Sequence, residues 1–130
     1  MGFQPFHWFL AGAGKGQLEM SPFHDVLHLP HWAQSANGNS IALYASPSVT
    51  FSPQDQPLIL IGGVHGDEPE GVVLAEATLQ WLKDDFKSPQ PITQVPWIVI
   101  PCLNVDGYQA NQRTNGRGVD LNRNFPARNW

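Results

Sequence analysis

Apolar and polar positions change period twice between residues 57 and 101. The stretch "PLILIGG" (57–63) is an unbroken apolar run closed by two glycines, the pattern of a strand buried on both faces of a sheet. "PEGVVLAEATLQWLKDDF" (69–86) then moves to helical spacing. Val72, Ala75, Leu79, Leu82 and Phe86 fall on one stripe, and Pro69 stands at the first helical position, where its missing N–H costs nothing. A polar linker, "KSPQPITQ" (87–94), leads to "WIVIP" (97–101), a second buried strand. Strand, helix and strand make a βαβ unit, so the two strands are expected to be parallel, with a right-handed crossover.

Upstream, "SANGNS" breaks the pattern between Asp25 and Ala45. Asn37-Gly38 is a turn signal, since both residues tolerate positive φ, and "IALYA" (41–45) reads as the return strand of a hairpin at a sheet edge. His24, His28 and His31 have helical spacing, but Pro22 and Pro30 oppose a helix there. We therefore read them as exposed hairpin histidines and not as a metal site. Residues 1–24 have no period and form an irregular segment. The segment 25–130 reads as one unit, and from Cys102 onward the chain is Gly-, Asn- and Arg-rich and mostly loop.

Composition narrows the classes. An apolar content of 42% with 11% aromatics describes a globular chain of about one small domain. A net charge of −4 opposes nucleic acid as the main partner. No apolar run approaches the roughly 20 residues of a membrane span, and no Lys or Arg precedes Lys15 as a secretory signal would require. With Cys102 as the only cysteine, no internal disulfide forms, so a soluble, cytoplasmic protein is expected. "GAGKG" (12–16) is not a phosphate loop: Phe9 stands where its first Gly belongs, and Gly16 follows the Lys. Gln17 likewise replaces the third Gly of a dinucleotide fingerprint.

The chemistry gathers at the strand ends, where open α/β sheets bind ligands. His65 and Glu68 follow the first buried strand, and Asn104 and Asp106 follow the second. Imidazole and carboxylate are both zinc ligands, and a two-residue gap across a strand-to-helix turn lets both face one ion. The competing assignment makes Glu68 or Asp67 a helix cap and His65 a loop polar. All four arginines fall in residues 111–130, a segment with a single acid, whereas residues 1–110 hold three Lys against ten acids. Arg113 and Arg123 thus offer guanidinium groups beside the same strand ends, suited to holding a carboxylate or an oxyanion.

"GGVHGDEPEG", "LNVDG" and "RTNGRGVDLNRNFP", in this order and spacing, resemble the zinc carboxypeptidases of the carboxypeptidase A type. The resemblance covers residues 57–130, with a looser echo in "SANGNSIALY". It implies an α/β, three-layer fold with a mixed, largely parallel sheet, and hydrolysis of a peptide bond next to a free terminal carboxylate by metal-activated water. It implies one zinc ion with His65 and Glu68 as ligands, Arg113 as the catalytic group that steadies the oxyanion, and Asn122 and Arg123 as the substrate-carboxylate pair.

Three departures qualify it. Val105 replaces the Pro of the usual "NPDG". Asp67 stands where the digestive enzymes carry Arg, which is closer to the bacterial murein tripeptide amidase branch and to small peptides with unusual linkages. No His follows His65 and no Glu follows Glu76, whereas the family's third ligand, general-base Glu and substrate-binding Tyr lie downstream. The chain is therefore expected to be the N-terminal half of a longer enzyme, inactive alone, with an unfinished sheet and the rest of the catalytic domain supplied by the parent chain. Two alternatives stay open. One is an N-acyl amino acid deacylase of the aspartoacylase and succinylglutamate desuccinylase type. The other is a non-catalytic carboxylate-binding module.

Overall fold

The computed structural model describes residues 26–90 and 95–124. The elements in order are β1 (Leu27–Gln34), β2 (Ser40–Ala45), β3 (Leu58–Ile61), α1 (Pro69–Phe86), β4 (Trp97–Ile100), α2 (Val105–Ala110) and a 3-10 turn at Leu121–Arg123. The four strands form one mixed sheet in the order β1-β2-β4-β3. β3 and β4 pair in parallel around α1, as the strand–helix–strand pattern predicts, whereas β1–β2 and β2–β4 are antiparallel.

β4 sits inside the sheet and is buried at every residue, from Trp97 to Ile100. Its side chains alternate between two cores. Trp97 and Val99 meet Ala75, Leu79 and Leu82 of α1, the expected stripe. Ile98 and Ile100 join Ile41, Leu43, Ala45 and Val49 on the opposite face, with Leu103 and Val105 packed against them. Phe86, the last residue of the stripe, is only half-buried.

β3 corrects one expectation. Its apolar run predicts burial on both faces, but Leu58 is 66% exposed, and Ile59 and Ile61 are exposed as well. β3 is the last strand of the sheet, paired to β4 on one side only. A continuous apolar run reports what a strand is fit to bury, and among the described residues nothing covers its outer edge.

The hairpin forms where "SANGNS" predicts it, with β1 at the sheet edge. Only Gly38 takes positive φ (83°), while Asn37 does not, so the turn closes by Gly38 N–H donating to Ser35 O at 3.0 Å and Ser35 N–H donating to Asn39 O at 2.8 Å. The ladder shifts register between Leu29 and Ala33, around Pro30, which has no N–H to donate. His28 and His31 are exposed on β1. His28 stacks on Tyr44 at 4.3 Å, and Lys83 of α1 lies 4.4 Å from the Tyr44 ring. Burial, and then Lys83, pull the His28 pKa down. His24 and the irregular segment 1–24 lie outside the described residues. The tail is less irregular than expected, since α2 and the 3-10 turn interrupt it. Among the described residues no helix is long and apolar enough to cross a membrane.

Candidate metal and substrate site

Close backbone approach brings the two strand ends together. A Cβ on Gly66 would lie 1.9 Å from Gly107 C and 2.3 Å from Tyr108 N, so the loop after β3 rests directly on the first turn of α2. A Cβ on Gly62 would meet Pro101 O at 2.3 Å and the Ala75 Cβ at 2.7 Å, which seats α1 against the same end of the sheet. Gly62 N–H donates to Ile100 O, while Leu103 and Asn104 donate to Gly62 O and Gly63 O. The glycines of "GGVHG" and "NVDG" are thus the contact surface itself.

On this platform His65 is buried, at 7% exposure, with both ring nitrogens engaged. Nδ1 lies 3.2 Å from Glu68 Oε1, and Nε2 lies 3.0 Å from Asp120 Oδ1. Glu68 occupies the N-cap position of α1 without a side-chain capping bond. Its carboxylate turns to His65 instead, which removes the capping assignment as the reason for this Glu.

Arg113 completes the cluster. Its Nε donates to Asp120 Oδ2 at 3.0 Å and its Nη1 to Glu68 Oε1 at 3.3 Å. The loop is aimed by Asn104, which is 2% exposed: its Oδ1 caps Gly107 N–H and its Nδ2 donates to the Arg113 carbonyl at 3.2 Å. Asn111, at φ 49°, ends α2 in the left-handed conformation and turns the chain back toward His65. The Asp120 pair holds the Arg113 guanidinium, already a strong base, above its ordinary pKa, with Glu68 and Asp67 adding to the effect.

Asp120 is the residue our sequence reading missed. Its Oδ1 also accepts Asn122 N–H at 3.0 Å and caps the 3-10 turn. Burial pushes its carboxyl up, but the bonds from Arg113, His65 and Asn122 outweigh this and hold it below the usual carboxylate range. A hint was present, since Asp120 is the one acid in the Arg-rich tail. Asn122 and Arg123 stand on that turn, two and three residues past its cap, Asp120. Both are exposed, and the Arg123 guanidinium donates to the Asn122 carbonyl at 3.3 Å. The structure brings His65, Glu68, Arg113 and Asp120 into one network and leaves the Asn122 and Arg123 side chains facing solvent beside it.

The donor set can be tested against a metal. Asp120 accepts at the Nε2 side of His65, and in the tautomer with its proton on Nε2 the Nδ1 atom presents a lone pair. That lone pair faces Glu68 Oε1, a second acceptor, and only a proton or a cation between them resolves the contact. Two ligands of a tetrahedral zinc with bonds near 2.0–2.1 Å stand about 3.3 Å apart, close to the 3.2 Å found here. The pair therefore fits two corners of such a site. Among the described residues no group of three His, Cys, Asp or Glu side chains is arranged to hold an ion.

The zinc carboxypeptidase family profile matches residues 20–130. Murein peptide amidase A of Escherichia coli K12 is 36% identical over 100 residues, covering 77% of this chain and 36% of that protein. The crystal structure of murein-tripeptide amidase from Escherichia coli O157 superposes with a TM-score of 0.55 at 34% identity, covering 79% of this chain and 38% of that one. Carboxypeptidase A of Helicoverpa armigera shares the fold, with a TM-score of 0.63 at 24% identity over 81% of this chain and 30% of that one. The chain spans about a third of the length of these relatives. Its sheet, its glycine-packed strand ends and its matched length make it a member of the zinc carboxypeptidase family.

Proposed function

We propose that this chain carries the N-terminal part of a zinc-dependent peptidase site that cleaves a peptide or amide bond beside a free terminal carboxylate. The observation that carries this reading is the His65–Glu68 pair, with Nδ1 and Oε1 3.2 Å apart and Asp120 3.0 Å from the far nitrogen of the ring. His65 Nδ1 and Glu68 would hold zinc, and a third ligand would come from further chain. When bound, zinc supplies Lewis acidity and an activated water.

The chain's own residues then divide the work. Asp120 accepts the Nε2 proton, fixes the tautomer and keeps the ring oriented, as carboxylate partners of metal-binding histidines do. Arg113 reaches Glu68 and Asp120 now, and its exposed guanidinium is placed to donate to the oxyanion that develops on the scissile carbonyl. Asn122 and Arg123, on the turn that Asp120 caps, would bind the substrate's terminal carboxylate, with the Arg fork giving two parallel bonds. The exposed β3 edge supports further chain that completes the sheet. The likeness to murein-tripeptide amidase, together with Asp67, favours a short murein-type peptide as substrate.

The test uses the full-length natural polypeptide. We expect one zinc per chain by elemental analysis, lost on His65→Ala, and turnover of short peptides in preference to N-acyl amino acids. Preference for N-acyl amino acids would move the protein to the deacylase reading. A metal-free polypeptide without turnover would leave the carboxylate-binding module.

A further inference from the structure

Asp106 is a buried carboxylate, 4% exposed, to which the function proposed above assigns no task. Its Oδ1 accepts the Ser35 hydroxyl at 2.6 Å and Asn39 Nδ2 at 2.8 Å, and its Oδ2 accepts Asn37 N–H at 3.0 Å. The Gly116 backbone, on the Arg113–Arg123 loop, adds to the pull that holds this carboxyl low. A Cβ on Gly116 would fall 2.5 Å from Asn37 Oδ1, so the loop also rests against the turn's own amide.

One carboxylate in the first turn of α2 therefore anchors the hairpin turn (35–39), against which the loop that bears Arg113, Asp120, Asn122 and Arg123 packs through Gly116. Apolar packing does not do this. A cavity of about 310 Å³ lies between Ser35 and Ala36 of the turn and Leu121 and Asn124 of the loop. Asn104, the cap of α2 two residues earlier, ties the same loop through the Arg113 carbonyl. We propose that Asp106 is a positioning residue. By holding the hairpin turn against Gly116, it fixes the loop whose Arg113, Asn122 and Arg123 act on substrate. The role of those three groups rests on the peptidase reading, whereas the fixing of the loop does not.

Tryptic cleavage of the folded, full-length polypeptide reads the loop directly, because Arg117 is exposed at its tip. Asp106→Asn keeps the shape but turns an NH₂ toward donors. Losing one such buried bond shifts local opening by at least about ten-fold, and cleavage after Arg117 should rise by that factor. Cleavage after Lys87, at the end of α1, should stay within about two-fold of its starting rate, which separates loop release from global opening. The reciprocal double variant, Asp106→Asn with Asn39→Asp, exchanges donor and acceptor across the 2.8 Å bond. It should recover at least about three-fold of the lost protection. Ser35→Ala, which removes one hydroxyl only, serves if Asp106→Asn does not fold, with roughly a three-fold rise expected.

In the zinc-loaded enzyme, Asp106→Asn should lower kcat/KM by about ten-fold or more while the zinc content, held by His65 and Glu68, stays the same. Unchanged Arg117 cleavage overturns the proposal, and so does a rise matched at Lys87. A loosened loop with unchanged kcat/KM overturns it too, since loop order would then not matter to turnover. If the polypeptide has no peptidase activity, the function proposed above falls, and the cleavage ratio still decides whether Asp106 fixes the loop.

Discussion

Gly66→Ala isolates the contact on which the site depends. The added methyl would sit 1.9 Å from Gly107 C, 2.3 Å from Gly107 O and 2.3 Å from Tyr108 N. An ordinary carbon–carbon contact is about 3.5 Å, so the two backbones must part by roughly 1.5 Å. Neither side can turn a rotamer away, because every colliding atom is main chain. Overpacking costs typically 1–3 kcal/mol where side chains can adjust, so about 3 kcal/mol or more is expected here. For a chain of this size that is a fall in Tm of roughly 10 °C. Gly38→Ala is the control: φ is +83° and nothing lies within 4 Å, so only the left-handed backbone penalty of about 1 kcal/mol applies. His65 adjoins Gly66, and a shift of this size opens the 3.0 Å contact to Asp120, well past the tolerance of about 0.5 Å that a working site allows. Thermal unfolding and zinc competition on both variants make the measurement. A Gly66→Ala protein with the Tm and zinc affinity of the Gly38→Ala control would refute the claim that these glycines join the two strand ends.

Asp120→Asn leaves the Asn122 cap partly intact but removes the carboxylate from His65 and Arg113, and zinc affinity in the full-length polypeptide should fall about 10–100-fold by chelator competition. The Cys102 thiol is pushed up to about 11 by burial and by Glu76, so alkylation at pH 8 should run about 100-fold slower than for a free cysteine and reach the free rate in urea. Burial pushes the Asp106 carboxyl up, but the bonds from Ser35, Asn39, Asn37 and Gly116 prevail and hold it below the ordinary range. Its stabilising contribution is therefore complete above the unfolded carboxyl value near pH 4 and is lost as pH falls through the lower folded value. Urea midpoints measured from pH 7 to pH 3 should show a shallower acid decline in Asp106→Asn than in the parent.

The helix and the inner strand were legible because each signal had one physical source. Val72, Ala75, Leu79 and Leu82 form the buried stripe of α1, the last three packed against Trp97 and Val99, and that spacing exists only if the segment is helical. β3 was legible as a strand and misleading as to burial. Its apolar run specifies two covered faces, but coverage depends on which strand lies alongside, and order in a sheet is not encoded locally. The hairpin was legible to the residue at Gly38 and not at Asn37, because the longer turn around Ala36 needs a single left-handed residue.

Asp120 was hidden for a different reason. Spacing exposes pairs that share one turn, such as His65 and Glu68, whereas the His65–Asp120 contact closes 55 positions. What selects Asp120 is the path of the loop: the left-handed Asn111, the Asn104 bond to the Arg113 carbonyl, and the paired Asn115 and Val119 backbones that fold residues 115–119 into a tight turn. Remove any of these and Asp120 is an acid among arginines, balancing charge and nothing more. With them in place its two oxygens face an imidazole and a guanidinium, and neither can swing freely while the other is held. The orientation of His65 and the reach of Arg113 are thus set by the same carboxylate. Asp120→Asn should therefore weaken zinc binding and transition-state stabilisation together, whereas Arg113→Ala should spare the metal.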